Sequence, residues 1–116
     1  MTDPGTIPSF DSSVTATKEV LTASGTYLDF FEVQNPGAAQ VFLQLFDALT
    51  ANVTVGTTAP TLSLVVPAGT GTEDGARSEL FSHPVHFRTG FIYAVTTTAT
   101  GNTAPGTACK VNFVRH

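Results

Sequence analysis

From Val14 to the C-terminus, short apolar runs alternate with breaks rich in Gly, Pro, Thr and Ser, the spacing of a chain of β-strands rather than helices. The β-branched segment VTATKEVL predicts a first strand, and Ala23-Ser24-Gly25 a turn before YLDFFEVQ. Simple alternation in that second run puts Leu28 and Phe30 on one face and Tyr27, Asp29, Phe31 and Val33 on the other. Asn35-Pro36-Gly37 then predicts a chain reversal, with Pro fixing φ and Gly free to take φ > 0.

The next run, QVFLQLFDAL, fits two periods. Val41, Phe42, Leu45, Phe46 and Leu49 form a helical stripe, whereas Val41, Leu43 and Leu45 form the inward face of a strand. The β-rich neighbourhood favours the strand, and a short helix over residues 40–50 remains the alternative. In TLSLVV, Leu62, Leu64 and Val66 alternate cleanly. Pro67 ends that run, and AGTGTEDGARS follows as a flexible loop. The remaining strands are expected in ELFSH, VHFR, FIYAVTTT and CKVNFVR. Between the last two lies TATGNTAPGTA, which has no large apolar residue and belongs in solvent or in an interface.

Seven or eight strands with almost no helical pattern predict an all-β, single-domain antiparallel β-sandwich, with the jelly-roll preferred to an immunoglobulin-like arrangement. The sandwich is expected over 14–116. Residues 1–13, with Pro4, Gly5 and Pro8 and only Met1, Ile7 and Phe10 as large apolar groups, predict an extended N-terminal arm. An arm of this kind either stays free or docks Ile7 and Phe10 into a neighbouring subunit.

Charge is scarce. Hydrophobic residues make up 41% and charged residues 12% of the 116, about half the charge usual in soluble domains. A neutral surface repels copies and partners weakly, which suits assembly. The net charge of -4, with five scattered basic residues, argues against tracking a nucleic-acid backbone. No apolar run is long enough to span a bilayer, and MTDPGTIPSFDSS lacks the order of a signal peptide, so synthesis in the cytoplasm is expected.

Candidate chemistry is thin. His83 and His86 lie three apart, which on a strand sends them to opposite faces unless Pro84 bends the chain, so no metal site is expected. Cys109, the one cysteine, sits in an alternating strand and reads as a small buried hydrophobe; facing outward, it would instead offer an intersubunit disulfide. Glu73 and Asp74 lack the spaced carboxylates of a calcium loop, and Gly69-Thr70-Gly71 lacks the Lys and helix of a phosphate loop. There is no Trp, and Tyr27 and Tyr93 sit among apolar residues, so a sugar-stacking platform is poorly supported. The expectation is a protein without catalytic residues, cofactor or metal that works by binding other proteins.

Three segments in fixed order, VQNPGAAQVFLQLFD, VTVGTTAPTLSLVVPAGTG and FRTGFIYAVTTTATGNTAP, resemble a family of small structural proteins of tailed bacteriophages, from Val33 to about Ala104. The resemblance implies a β-sandwich attached to a virion, as a capsid decoration or cement protein on the outer surface of the head. Its expected partners are the major capsid protein or other virion proteins and further copies of itself, as trimers or dimers. The residues up to Phe10 lie outside the matched region. Such a protein bridges neighbours through repeated contacts, for which Ile7 and Phe10 of the arm, Glu73, Asp74 and Arg77 in loop 67–78, and Asn102 and Pro105 in loop 98–107 are the candidates. The competing expectation is a tail, baseplate or fibre-associated module that recognises a host-surface glycan.

Overall fold

The computed structural model describes residues 6–116. Eight strands follow one another: β1 Ile7–Val14, β2 Glu19–Thr22, β3 Thr26–Asn35, β4 Val41–Phe46, β5 Leu62–Val66, β6 Gly75–Phe87, β7 Phe91–Thr96 and β8 Cys109–Arg115. One 3-10 turn, Thr50–Asn52, interrupts the β4–β5 connection. The strands form two four-stranded sheets, sheet A in the order β1-β8-β3-β6 and sheet B in the order β2-β7-β4-β5.

All ladders are antiparallel, and four of them pair β1 with β8, β2 with β7, β3 with β6 and β4 with β5. A chain folded once into a long ribbon produces those four pairs. Rolling the ribbon up adds β3·β8 and β4·β7, both observed. This is the jelly-roll topology, and the β-sandwich expected from the strand pattern is the observed fold.

The core lies between the sheets. Sheet A contributes Leu28, Phe31, Val33, Val111 and Phe113, and sheet B contributes Val41, Leu43, Leu45, Val66, Phe91, Tyr93 and Val95. Val41, Leu43 and Leu45 face inward as the strand reading requires, so the helical alternative for residues 40–50 does not occur. Phe91 lies at the centre of an aromatic group, 4.3 Å from Phe87 and 5.0 Å from Phe113 between ring centroids. The Tyr93 hydroxyl donates to Asp11 Oδ2 at 2.8 Å and so ties β1 to the core. Burial, then the adjacent Asp11 carboxylate, raise the phenol's pKa above its ordinary value.

Five expectations are corrected. Residues 7–13 do not form an arm that projects from the fold but belong to β1, an edge strand of sheet A; residues 1–5 lie outside the described residues. Ser9 and Asp11 face inward on β1 while Pro8 and Phe10 face out, which inverts the usual apolar-in pattern and hides the strand from sequence. The predicted strand VTATKEVL is divided, with Val14 closing β1 and only Glu19–Thr22 forming β2, after a register shift between Asp11 and Val14. Next, ELFSH and VHFR are one strand. β6 runs through Pro84 because it is an edge, and residues 81–84 bulge opposite Asp29 where Leu28 pairs with Val85 and Phe30 with Leu80.

The same irregularity at Asp29 separates Leu28 from Phe30: Leu28, Phe31 and Val33 are buried, and Phe30 turns to the outside. Finally, Asn35-Pro36-Gly37 carries the chain from sheet A to sheet B instead of closing a hairpin. Gly37 is not among the positive-φ glycines, which are Gly56 and Gly71 within the described residues.

Asp47, just after β4, fixes the tight β6–β7 connection by accepting the backbone N–H groups of Arg88 (3.0 Å), Thr89 (2.8 Å) and Gly90 (3.4 Å). Partial burial pushes its carboxyl up, but these three N–H groups, with His86, outweigh it and hold the pKa below 3.8. Its stabilisation is therefore complete above the unfolded value of 3.8 and is lost as pH falls through the lower folded value. Asp47→Ala is expected to cost about 2 kcal/mol at pH 7, because three donors lose a charged acceptor. Urea titrations at pH 7 and pH 2.5 check this: the difference between wild type and variant should shrink at the lower pH.

Candidate interaction surface

The outer faces of the two sheets differ. On sheet B, Phe46 and Ile92 point away from the core and are covered by Val53, Ala48 and Val55 of the β4–β5 connection. Lys18 Nζ pins that cover by donating to Thr50 O at 2.7 Å and Val53 O at 2.5 Å. Beside it, Gln44 on β4 is fully buried beneath the β7–β8 loop, donating to Thr96 Oγ1 (2.6 Å) and Gly101 O (3.0 Å). Ser63 Oγ reaches Ala99 O at 2.7 Å. The polar segment TATGNTAPGTA is thus a lid on sheet B.

Sheet A has no such cover among the described residues. Directly opposed residues on adjacent antiparallel strands share a face. Pro8 opposes Val114, Val114 opposes Phe30, and Phe30 opposes Leu80. These four side chains make one apolar row across the outside of all four strands, roughly 15 Å long from the usual strand spacing. Leu80, at one end, is 80% exposed, and Phe10, on the same face beside Pro8, is 61% exposed. Phe10 heads the next row, opposite Asn112; the rest of that row, Asn112, Glu32 and Ser78, is polar, and Asn112 Nδ2 donates to Glu32 Oε1 at 3.3 Å.

Of the residues singled out from sequence, Ile7 and Phe10 lie on β1, 46% and 61% exposed. Glu73 and Asp74 are exposed in the β5–β6 connection, and Arg77 follows on β6, where it pairs with Glu79 at 3.1 Å and donates to Val65 O at 3.2 Å. Asn102 is exposed but packs against Gly56, which has a φ of +92° and where an added Cβ would lie 2.8 Å from Asn102 Cβ. Pro105 lines a shallow groove of ≈ 200 Å³ with Asn35, Gly37, Val41, Thr97 and Thr107.

The loops meet at one end of the sandwich. Buried Asn35 joins them, donating to Ala39 O (2.9 Å) and Pro67 O (3.0 Å) and accepting the Gly37 N–H (3.0 Å). The structure therefore brings the β5–β6 loop and Pro105 together and sets Ile7 at the opposite end, opposite Arg115. Phe30, Leu80 and Val114 were not found from sequence. Phe30 was masked by the bulge, and Leu80 sits in a strand that sequence divides at Pro84.

Among the described residues no group of three or more His, Cys, Asp or Glu side chains could hold a metal ion. His86 stacks on Tyr27 at 4.2 Å between centroids, and His116 stacks on Tyr27 at 5.1 Å. His116 Nδ1 lies 2.7 Å from Asp29 Oδ2. With Tyr27 flanked by two imidazoles and Tyr93 6% exposed, neither tyrosine offers a free ring face to a sugar. Cys109 is fully buried, and burial, then Asp74, push its thiol up to about 11; an intersubunit disulfide there does not fit this structure. Among the described residues no helix is long and apolar enough to cross a membrane.

Compared with protein-family models, curated proteins and solved structures, the chain gives no match. The functional reading rests on the surface described above and on the sequence motifs.

Proposed function

We propose that this protein is a virion structural protein of the decoration class, which binds the head lattice of a tailed bacteriophage through protein–protein contacts and stabilises it. The observation that carries the reading is the uncovered apolar row Pro8–Val114–Phe30–Leu80, with Phe10 beside it, on a protein whose other sheet covers its own outer face. A contiguous apolar strip of this kind, rimmed by polar residues, is a protein-binding surface in the ordinary case. The resemblance of the sequence motifs to phage structural proteins supports a virion partner, and the reading takes this to be the major capsid protein on the outer surface of the head. Many modest contacts repeated over a symmetric lattice then give high effective affinity without any chemistry.

The test is co-sedimentation of the purified protein with undecorated heads, with tails and with host cells. Saturable binding to heads is expected, and Phe10→Ala should weaken it about tenfold, as for an exposed aromatic anchor of the surface. Binding to cells but not to heads would overturn the reading in favour of a fibre-associated module that recognises a host-surface glycan.

A further inference from the structure

Each sheet leaves two edges, and three of the four are unsuited to pairing. β1 carries Pro8, which lacks a donor. β2 has only four residues. On β5 the Arg77 guanidinium already holds Val65 O. Among the described residues β6 is the longest strand and pairs only with β3, and it is regular from Gly75 to Leu80, where it opposes Asn35 to Phe30 residue for residue. Its backbone edge over that stretch is a template for a further strand.

We propose that β6 pairs antiparallel with β6 of a second copy about a two-fold axis at Ser78, joining two A sheets into one continuous eight-stranded sheet. Charge selects both the occupant and the register. A two-fold axis on an antiparallel pair sets each residue opposite the one equally far beyond the axis. An axis at Arg77 would set Arg77 against its own copy, and an axis at Glu79 would do the same with Glu79; like charges directly opposed are destabilising.

Only the axis at Ser78 sets Arg77 against Glu79 of the second copy, twice, and Ala76 against Leu80, twice. Arg77 and Glu79 already lie 3.1 Å apart within one chain, at 31% and 44% exposure, so dimerisation closes a four-charge ring at the rim between the sheets. Charged side chains on an edge ordinarily block association. Here they block the registers one residue to either side, and the two-fold axis closes the dimer instead of opening a fibre.

The proposal does not depend on the head-lattice reading. A dimer that ignored heads would refute that reading and leave this one standing, and a monomer that bound heads would do the reverse.

The experiment is light scattering and sedimentation equilibrium of the full chain. Wild type should be dimeric, and Arg77→Glu and Glu79→Arg should each weaken the dimer on the order of 100-fold by opposing like charges. Mixed in equal amounts, the two variants should recover a dimer, since each then supplies the charge the other needs while neither regains its internal pair. A monomeric wild type, or a single variant that dimerises as wild type does, would overturn the proposal. Ser78→Cys gives a second reading: its thiols should oppose each other within disulfide reach and cross-link under mild oxidation, while buried Cys109 stays inert. No cross-link would reject this register.

Discussion

Phe113→Ala is expected to cost about 3–5 kcal/mol, the usual loss for a fully buried aromatic ring in a core. Phe113 projects inward from β8 with 1% of its surface exposed, opposite Phe31 on β3 and Ser9 on β1. Its ring meets Phe91 and Tyr93 from the other sheet edge-on, each at 5.0 Å between centroids. Neighbouring side chains cannot move in to fill the space. Phe91 is held against Phe87, and the Tyr93 ring is anchored by its hydroxyl on Asp11. A cavity left open costs more than the transfer of the lost atoms alone.

Against a total stability of ~5–15 kcal/mol for a domain, this loss is a large fraction, and a melting point lower by roughly 10–20 °C is expected. Urea denaturation with an unchanged m-value measures it. The control is Phe10→Ala, whose ring is 61% exposed and whose loss should stay within about 0.5 kcal/mol. A loss below ~1 kcal/mol at Phe113 would mean that the sheets do not meet there.

The strands that sequence made legible are those with one buried face and one solvated face. Leu62, Leu64 and Val66 alternate with Thr61, Ser63 and Val65, and the observed β5 follows that alternation. β4 was legible for a related reason, although its outer face is also buried, by Phe46 and Gln44 under the chain's own connections. That two-sided burial is what gave QVFLQLFDAL its false helical stripe. Strand β1 was not legible, because an edge strand with Ser and Asp inward and Pro and Phe outward has the composition of a loop.

The interaction surface was legible only in part. Phe10, Ile7 and Arg77 stand out as residues in the sequence, but the row that gives Phe10 its setting depends on register across four strands. Register follows from where the bulges fall, and the bulges at Asp29 and at residues 81–84 leave no local mark beyond Pro84. One inserted residue reverses every later side chain, which is why Phe30 was assigned to the face of Leu28.

Gly75→Ala is expected to destabilise the fold by at least about 2–3 kcal/mol, the range for an added group with nowhere to go. A Cβ at Gly75 would lie 1.9 Å from Pro67 O, 2.6 Å from Pro67 C and 2.7 Å from Ala68 O, and all three are backbone atoms that cannot rotate aside. Moving Pro67 has further consequences, since Pro67 O is one of the two carbonyls that receive the Asn35 amide. Asn35 also holds Ala39 O and the Gly37 N–H, so a shift at Pro67 loosens the loop end that contains Glu73, Asp74 and Pro105. Fully buried Asn35 would then face the cost of an unsatisfied amide as well. Gly106→Ala, where a Cβ meets nothing within 4 Å, should change stability by less than about 0.5 kcal/mol. Thermal denaturation of the two variants side by side separates close packing at Gly75 from a general sensitivity of these loops to alanine. Equal melting points would show that β6 does not start against Pro67, and with that the register of the edge from Gly75 to Leu80 would have to be redrawn.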